Sequence, residues 1–270
     1  MSKKLFATPF LLWIACGTVI PLAVIAFYGF TDRSGAFTAD NIMAIFSAEH
    51  AQALGLTLLL SLLSTVICFV LAFPLALVLK DSNIGQKGFM IFIFILPMWM
   101  NFLLRTMAWQ VLLEKGGLIN SLLEALHLPA LEIINTPAAI VLGMVYDFLP
   151  FMVLPIYNTI MKIDNNIIEA AYDLGATKTK VLTHVLLPLS IPGIASGVTM
   201  VFVPSLTTFV ISNMLGGGKI NLIGNIIEQE FTTSSNWNLG SGLSLVMMVF
   251  IIISMAALSK LDKNGEGTLL

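Results

Sequence analysis

The sequence predicts an all-α, polytopic membrane protein with six transmembrane helices, and three observations carry this prediction. Apolar residues make up 57% of the 270 residues and charged residues only 10%, whereas a soluble domain carries about 25% charged residues. Six apolar runs are long enough to cross a hydrocarbon layer, which takes roughly 20 helical residues. The Lys and Arg residues gather in every second loop between these runs, as expected of a chain that crosses a membrane repeatedly.

The six predicted spans follow one another along the chain and comprise Leu5–Phe30, Leu54–Leu79, Gly88–Leu113, Pro137–Ile160, Leu186–Ser212 and Gly240–Leu261. The first is too long for the apolar core of a cleaved signal peptide, so we interpret it as a retained helix. The third is interrupted at Pro97, Asn101 and Arg105, and the fifth at Pro188, Pro192 and Pro204. Such interruptions are tolerated because neighbouring helices satisfy the backbone groups that they free.

The distribution of cationic residues orients the chain. With the N-terminus inside, the cytoplasmic segments carry Lys3, Lys4, Lys80, Lys87, Lys162, Lys178, Lys180, Lys260 and Lys263, and the external ones carry Arg33, Lys115 and Lys219. Cytoplasmic loops are enriched in Lys and Arg, so we expect both termini in the cytoplasm. The external loops are rich in Asp and Glu. They are either ordinary solvated loops or a surface that concentrates a cationic solute.

Composition also excludes several classes of function. A net charge of −2 argues against nucleic acid as a partner. Cys16 and Cys68 both lie inside apolar runs, where cysteine acts as a small apolar residue. The sequence contains no P-loop, no GxGxxG and no His/Cys cluster. We therefore expect no ATP site, cofactor or metal on this chain, and no catalysis by it.

The predicted cytoplasmic loop at residues 162–185 is expected to contain two short helices. Asn166 is a candidate N-cap, with Glu169 three residues later as in a capping box. Gly175 suits the left-handed conformation that ends a helix, and Thr177 can cap a second helix. The apolar residues of the first helix fall on one face, which comprises Ile167, Ile168, Ala171 and Leu174. This segment offers a soluble partner a surface to hold.

The spacing in this loop resembles the EAA loop of ABC-transporter permeases. Glu169-Ala170-Ala171 is followed by Gly175 and, after nine intervening residues, by Val185-Leu186-Leu187-Pro188. In that family the loop docks on the ATPase subunit. The resemblance implies a coupling role for Glu169, Ala170, Ala171, Asp173, Gly175, Leu187 and Pro188. The alternative is a loop that packs only on its own helical bundle.

Further segments are similar to binding-protein-dependent permeases of the type I importer class, and among them to spermidine/putrescine permeases. They comprise residues 96–101, 104–106, 116–120, 136–139, 149–157 and 216–225. The resemblance implies a single transmembrane permease domain over residues 1–270 that translocates polyamines by alternating access in the bacterial inner membrane. The implied partners are a second homologous permease in a heterodimer, two ATPase subunits that bind ATP and Mg, an extracytoplasmic polyamine-binding protein and membrane lipid.

Two ionisable residues lie well inside the predicted spans, where a charge costs about 2.5–3.5 kcal/mol and needs a partner. Asp147 is either a carboxylate that meets a polyamine ammonium group or a structural residue, which forms an ion pair with Arg105 or a hydrogen bond to a polar neighbour. We assign Arg105 a structural or gating role because a cation repels a polyamine. Aromatic faces attract ammonium groups, and the candidates along the substrate path are Trp99, Tyr146, Phe151 and Tyr157. Ordinary helix packing is the alternative for each of them.

Other functions remain open at this point. An ABC permease for a different small solute would share most of the same pattern. A secondary transporter would need inverted repeats and no ATPase, and the sequence shows no such symmetry. An intramembrane enzyme would need clustered catalytic groups inside the spans, where the sequence places one Asp and one Arg.

Overall fold

The computed structural model describes residues 3–81 and 96–259 of the chain. These residues are mainly helical, with an isolated antiparallel bridge between Thr31 and Phe37, so the predicted all-α fold class is confirmed. In chain order, the α-helices are α1 (Lys3–Ile14), α2 (Ile20–Gly29), α3 (Asp40–Met43), α4 (Ala48–Asp81), α5 (Phe102–Leu113), α6 (Leu118–Ala125), α7 (Pro137–Lys162), α8 (Asn165–Asp173), α9 (Lys178–Val181), α10 (Leu187–Leu189), α11 (Ile191–Thr207), α12 (Val210–Leu215), α13 (Ile223–Thr232) and α14 (Trp237–Ser259).

Four helical stretches in the described residues are long and apolar enough to cross a membrane, namely Thr8–Gly29, Ala48–Lys80, Pro137–Lys162 and Trp237–Leu258. Lys178–Leu189 and Ile191–Thr207 form a bent pair that gives a fifth candidate. The predicted third span begins at residue 88, outside the described residues. Its described part is a 3₁₀ turn at Leu96–Trp99 followed by α5. The total of six spans therefore stays a prediction.

The predicted fifth span is not one straight helix. The chain bends by 65° between α10 and α11, and Pro188 and Pro192 flank this bend. Proline lacks a backbone N–H and so removes a hydrogen bond from the helix. The hydroxyl of Ser190 donates to the Leu186 carbonyl at 2.6 Å at the same place. Sharp bends in helices arise where proline or a side chain interrupts the backbone ladder in this way.

The chain forms two compact units. One consists of the described residues within 1–55 and 223–253, and the other of those within 56–222 and 254–270. In the first unit, the side-chain amide of Asn238 donates to the carbonyl of Thr31 at 2.7 Å, and that of Asn41 donates to the same carbonyl at 2.9 Å. The Trp237 ring lies in edge contact with Phe231, at a centroid distance of 5.5 Å.

The second unit has its core around α7, which contributes Met144, Met152, Ile156 and Ile160 as fully buried side chains. Helix α11 packs along α7. Gly193 faces the Pro155 carbonyl, because a Cβ added at this glycine would lie 2.7 Å from that oxygen. Small residues at a helix contact allow two backbones to approach closely in a membrane protein. This packing holds α7, which carries Asp147, in a fixed position.

Candidate functional site

The segment between α7 and α10 contains two short α-helices, α8 and α9, as predicted. Gly175 follows α8 with a φ of +79°, the left-handed conformation predicted for it. Thr177 caps α9, because its hydroxyl accepts a hydrogen bond from the Lys180 N–H at 3.4 Å. The predicted cap of α8 was wrong by two residues: Asp164, not Asn166, accepts at 3.0 Å from a backbone N–H of the first turn. Either side chain suits this position, and the helix begins one residue earlier than Asn166.

Helix α8 exposes its apolar and its acidic residues together. None of its residues is buried, and Leu174, directly after it, is 90% exposed. Glu169, Ala170 and Asp173 are exposed as well. An amphipathic helix with small residues and carboxylates on an open surface can lie in a groove of a partner protein.

Leu187 and Pro188 lie beyond the turn at Gly175, in α10 rather than in α8. Leu187 is half-buried and packs against the hydrophobic core of the second unit, whereas Pro188 is exposed. These two residues therefore sit at the base of the exposed segment, next to the bend into α11. The structure separates them from the Glu169 group along the chain, as their spacing in the sequence indicates.

The second candidate site is an ion pair between α5 and α7. Nη2 of Arg105 lies 3.3 Å from Oδ1 of Asp147, and the two side chains are 6% and 2% exposed. The sequence indicated that these two residues were able to approach one another, and in this structure they do. Two buried charges in contact compensate part of the cost of removing each from water.

The ion pair is incompletely satisfied. Thr106 donates to the other Asp147 oxygen, Oδ2, at 3.4 Å and to the Phe102 carbonyl at 3.1 Å. A hydroxyl has one proton to donate, so these two acceptors compete for it. The 3.3 Å contact between Nη2 and Oδ1 is an ion pair without hydrogen-bond geometry. Within the part of the chain that the structure describes, Nε and Nη1 of Arg105 and Oδ1 of Asp147 therefore have no hydrogen-bond partner. Buried polar groups nearly always have such partners, which makes this pair unusual.

The predicted aromatic candidates occupy different surroundings. Tyr146 lies in edge contact with Trp109 of α5, at a centroid distance of 5.2 Å, on the same two helices as the ion pair. Phe151 is half-buried. Tyr157 is buried and lies about 15 Å further along α7 than Asp147, at about 1.5 Å per residue. Trp99 is 77% exposed in the turn before α5.

One member of the site was missed from the sequence. Thr106 is 1% exposed and supplies a hydrogen bond to Asp147. Its only signal was its place beside Arg105, since threonine in a membrane helix commonly satisfies its own backbone or a neighbouring helix.

The chain matches the family model described as "Binding-protein-dependent transport system inner membrane component" over residues 3–264. The chain belongs to this family. It is therefore a permease subunit of the ABC importer class and a multi-pass membrane protein. The resemblance identified in the sequence is confirmed.

Curated relatives of this family match nearly the whole chain. The "Spermidine/putrescine transport system permease protein PotB" of Haemophilus influenzae is 33% identical over 266 residues, which cover 94% of this chain and 93% of the relative. The protein of the same name in Escherichia coli is 32% identical and covers 94% of this chain and 97% of the relative. The "Inner membrane ABC transporter permease protein YdcU" of Escherichia coli is 28% identical and covers 91% of this chain and 84% of the relative.

Solved structures share the fold. A chain of a bacterial ABC transporter involved in the import of the acidic polysaccharide alginate has a TM-score of 0.82 and 18% identity, covering 98% of this chain and 96% of that one. A chain of the MetNI methionine ABC transporter in an inward-facing conformation has a TM-score of 0.53 and 18% identity, covering 79% of this chain and 92% of that one. At 18% identity, these structures show that the fold is shared, and they support no conclusion about the solute.

Proposed function

We propose that this chain is the transmembrane permease subunit of an ATP-driven importer that carries spermidine, putrescine or both into the cell. The observation that carries the proposal is the identity of 32–33% to spermidine/putrescine permeases over 94% of the chain. A cationic cargo is also supported by the buried carboxylate of Asp147, which follows Tyr146 in the chain, and Tyr146 is in edge contact with Trp109.

The chain performs no chemistry in this proposal. Two ATPase subunits bind ATP and Mg, a second homologous permease completes the channel, and an extracytoplasmic polyamine-binding protein delivers the cargo. The whole chain acts as one permease domain in the bacterial inner membrane. Both termini and the segment at residues 162–185 face the cytoplasm, in agreement with the excess of Lys in these parts of the sequence.

Coupling runs through α8 and the turn that follows it. The exposed Leu174 and the carboxylates of Glu169 and Asp173 enter a groove on an ATPase subunit, where Ala170 and Ala171 allow close approach. Gly175 sets the angle between α8 and α9, and Leu187 and Pro188 connect the docked segment to the bend at α11. Closure of the ATPase pair then shifts the populations of inward-open and outward-open states.

The experiment is uptake of radiolabelled spermidine and putrescine by bacteria that lack their own polyamine importers. The cells express this chain with its neighbouring permease, ATPase and binding-protein genes, and an ATPase variant unable to hydrolyse ATP serves as the control. We expect accumulation that depends on ATP hydrolysis and is suppressed by unlabelled polyamine. An assembled complex that hydrolyses ATP and accumulates neither polyamine would contradict the proposed cargo. A complex that accumulates both with the inactive ATPase would contradict the proposed energy source.

A further inference from the structure

The buried ion pair differs from one built for stability alone. Arginine is suited to a carboxylate because its planar guanidinium can make two parallel hydrogen bonds. Here a single nitrogen of Arg105 approaches Asp147, at 3.3 Å. Within the described residues, the remaining guanidinium nitrogens Nε and Nη1 are buried without hydrogen-bond partners. A half-satisfied buried network is less stable than a fully connected one.

We propose that Arg105 is a tethered cation that holds Asp147 in the empty transporter and is displaced from it by an ammonium group of the cargo. This inference rests on the proposed function, because it requires a cationic cargo. A carboxylate inside a membrane protein needs a counter-charge whenever the cargo is absent. Arg105 supplies that charge through one contact, and an ammonium group of the cargo can therefore replace the guanidinium.

The two partners differ in how freely they can move. Asp147 lies in the middle of α7, and the neighbouring Met144 and Phe148 are buried in the core. Its backbone is therefore held in place by close packing. Arg105 carries its charge at the end of a long, rotatable side chain and lies near the start of α5. In this proposal the guanidinium leaves the carboxylate by side-chain rotation, and α7 does not move.

The immediate surroundings of Asp147 suit an ammonium group. Its Oδ2 atom is bound by Thr106 at 3.4 Å, longer than the usual 2.5–3.0 Å for a hydroxyl donor, so this oxygen retains the capacity to accept from a new donor. Tyr146, the residue before Asp147, pairs with Trp109 of α5, and aromatic rings attract cations. A neutral solute offers no charge with which to replace the guanidinium. The pair therefore selects for cationic cargo.

The test is binding of radiolabelled spermidine to the purified permease–ATPase complex in lipid nanodiscs, without the binding protein. Arg105→Gln removes the competing cation, and we expect it to tighten spermidine binding about tenfold, which corresponds to about 1.4 kcal/mol. Asp147→Asn is expected to bind spermidine more weakly than the wild type. The double variant Arg105→Gln/Asp147→Asn should bind like Asp147→Asn alone. Unchanged or weaker binding by Arg105→Gln would overturn the proposal.

A second measurement covers the case in which Arg105→Gln is poorly stable. A cargo that replaces the missing guanidinium stabilises this variant by mass action, so spermidine should raise its Tm more than that of the wild type. Guanidinium ion serves as a comparison, because it can fill the place of the lost group. Rescue by guanidinium but not by spermidine would assign Arg105 a purely structural role, as would failure to recover folded Arg105→Gln with spermidine present.

Failure of the inference about Arg105 can be distinguished from failure of the proposed function. Polyamine uptake by the wild-type complex tests the cargo and involves no variant. Uptake by the wild type, together with unchanged spermidine binding by Arg105→Gln, would remove the inference about Arg105 and leave the polyamine importer intact.

Discussion

The side-chain amide of Asn238 donates a hydrogen bond of 2.7 Å to the carbonyl of Thr31, which lies 207 residues earlier in the chain. The same amide lies 3.2 Å from the Tyr28 carbonyl and 3.3 Å from the Asp32 carbonyl. One side chain therefore serves several carbonyls in and directly after the last turn of α2, where a helix leaves acceptors without intrahelical partners. The start of α14 is attached in this way to the end of α2.

We expect Asn238→Ala to lower the Tm of the purified complex. Loss of the amide removes a side-chain hydrogen bond, which contributes about 0.5–1.5 kcal/mol, whereas the Thr31 carbonyl keeps its bond from Asn41. Thermal inactivation of the complex measures the effect. Ser234→Ala, at an exposed residue of the same unit, is the control and should leave the Tm unchanged. Equal stability of the two variants would show that the Asn238 amide contributes nothing.

Gly193→Ala should destabilise the protein because α7 and α11 are already in close contact. The added Cβ would lie 2.7 Å from the Pro155 carbonyl, which belongs to the backbone and cannot rotate away. Overpacking of this kind costs about 1–3 kcal/mol. Gly55→Ala is a matched control, since a Cβ there meets nothing within 4 Å and alanine favours a helix by about 0.5–1 kcal/mol over glycine. We expect opposite shifts in Tm from the two substitutions, and equal shifts would contradict the close contact.

Glu169→Lys should reduce the ATPase that co-purifies with the permease and abolish ATP-dependent uptake, with little change in the amount of folded permease. The residue is exposed on α8, so its replacement disturbs no core. The reversal of charge should instead oppose docking to the groove on the ATPase. Glu124→Lys makes the same change at an exposed residue of α6 and serves as the control. Normal uptake by Glu169→Lys would remove this residue from the coupling surface.

The stability of the turn after α2 should depend on the negative charge of Asp32. Its carboxylate accepts from the Ser34 hydroxyl at 2.6 Å and from the Ala36 N–H at 2.9 Å, and these bonds lower its pKa. A lowered pKa means that their stabilisation is complete above the ordinary value of 3.8 and is lost as the pH falls through the folded-state pKa. We expect the Ala36 amide to exchange slowly at pH 5 in the wild type and rapidly in Asp32→Ala.

Hydrogen exchange of the segment at residues 30–38, corrected for intrinsic rates, checks this prediction. The difference between wild type and Asp32→Ala should disappear in acid, once Asp32 is protonated. Asp40→Ala, which changes an exposed carboxylate in α3, should behave like the wild type. A difference that persisted unchanged below the folded-state pKa would show that the carboxylate charge is not what holds the turn.

Local sequence signals predicted the elements that short-range physics controls. Gly175 and Thr177 have the conformations and bonds expected of them because helix ends are set by residues close in sequence. Asn101 also interrupts the third predicted span as expected, since its side chain accepts from the Leu103 N–H at 2.8 Å and so caps α5. The family was predicted mainly from residue types at fixed spacing in the loop at residues 162–185.

Features that depend on contacts between residues far apart in the sequence could not be predicted from local sequence signals. The contact between Arg105 and Asp147 joins residues 42 positions apart, and its single-nitrogen geometry depends on how α5 packs on α7. Proline marked the fifth span as interrupted, but the 65° bend also involves the bond from Ser190 to Leu186. Helix α14 begins at Trp237, three residues before the predicted start at Gly240, where its first turn is held by Asn238 and the Trp237 ring.

The exposure of Leu174 also affects the chain before any partner has bound. Burial of a leucine side chain stabilises a protein by about 1.5–3 kcal/mol. In the proposed docking, an assembled importer gains that free energy and a solitary permease does not. With the proposed orientation, each newly inserted copy displays this side chain, 90% exposed, to the chaperones and proteases of the cytoplasm. In the proposed importer, Leu174 would thus both complete the coupling surface and mark unassembled subunits for removal, which would tie the abundance of the permease to that of its ATPase.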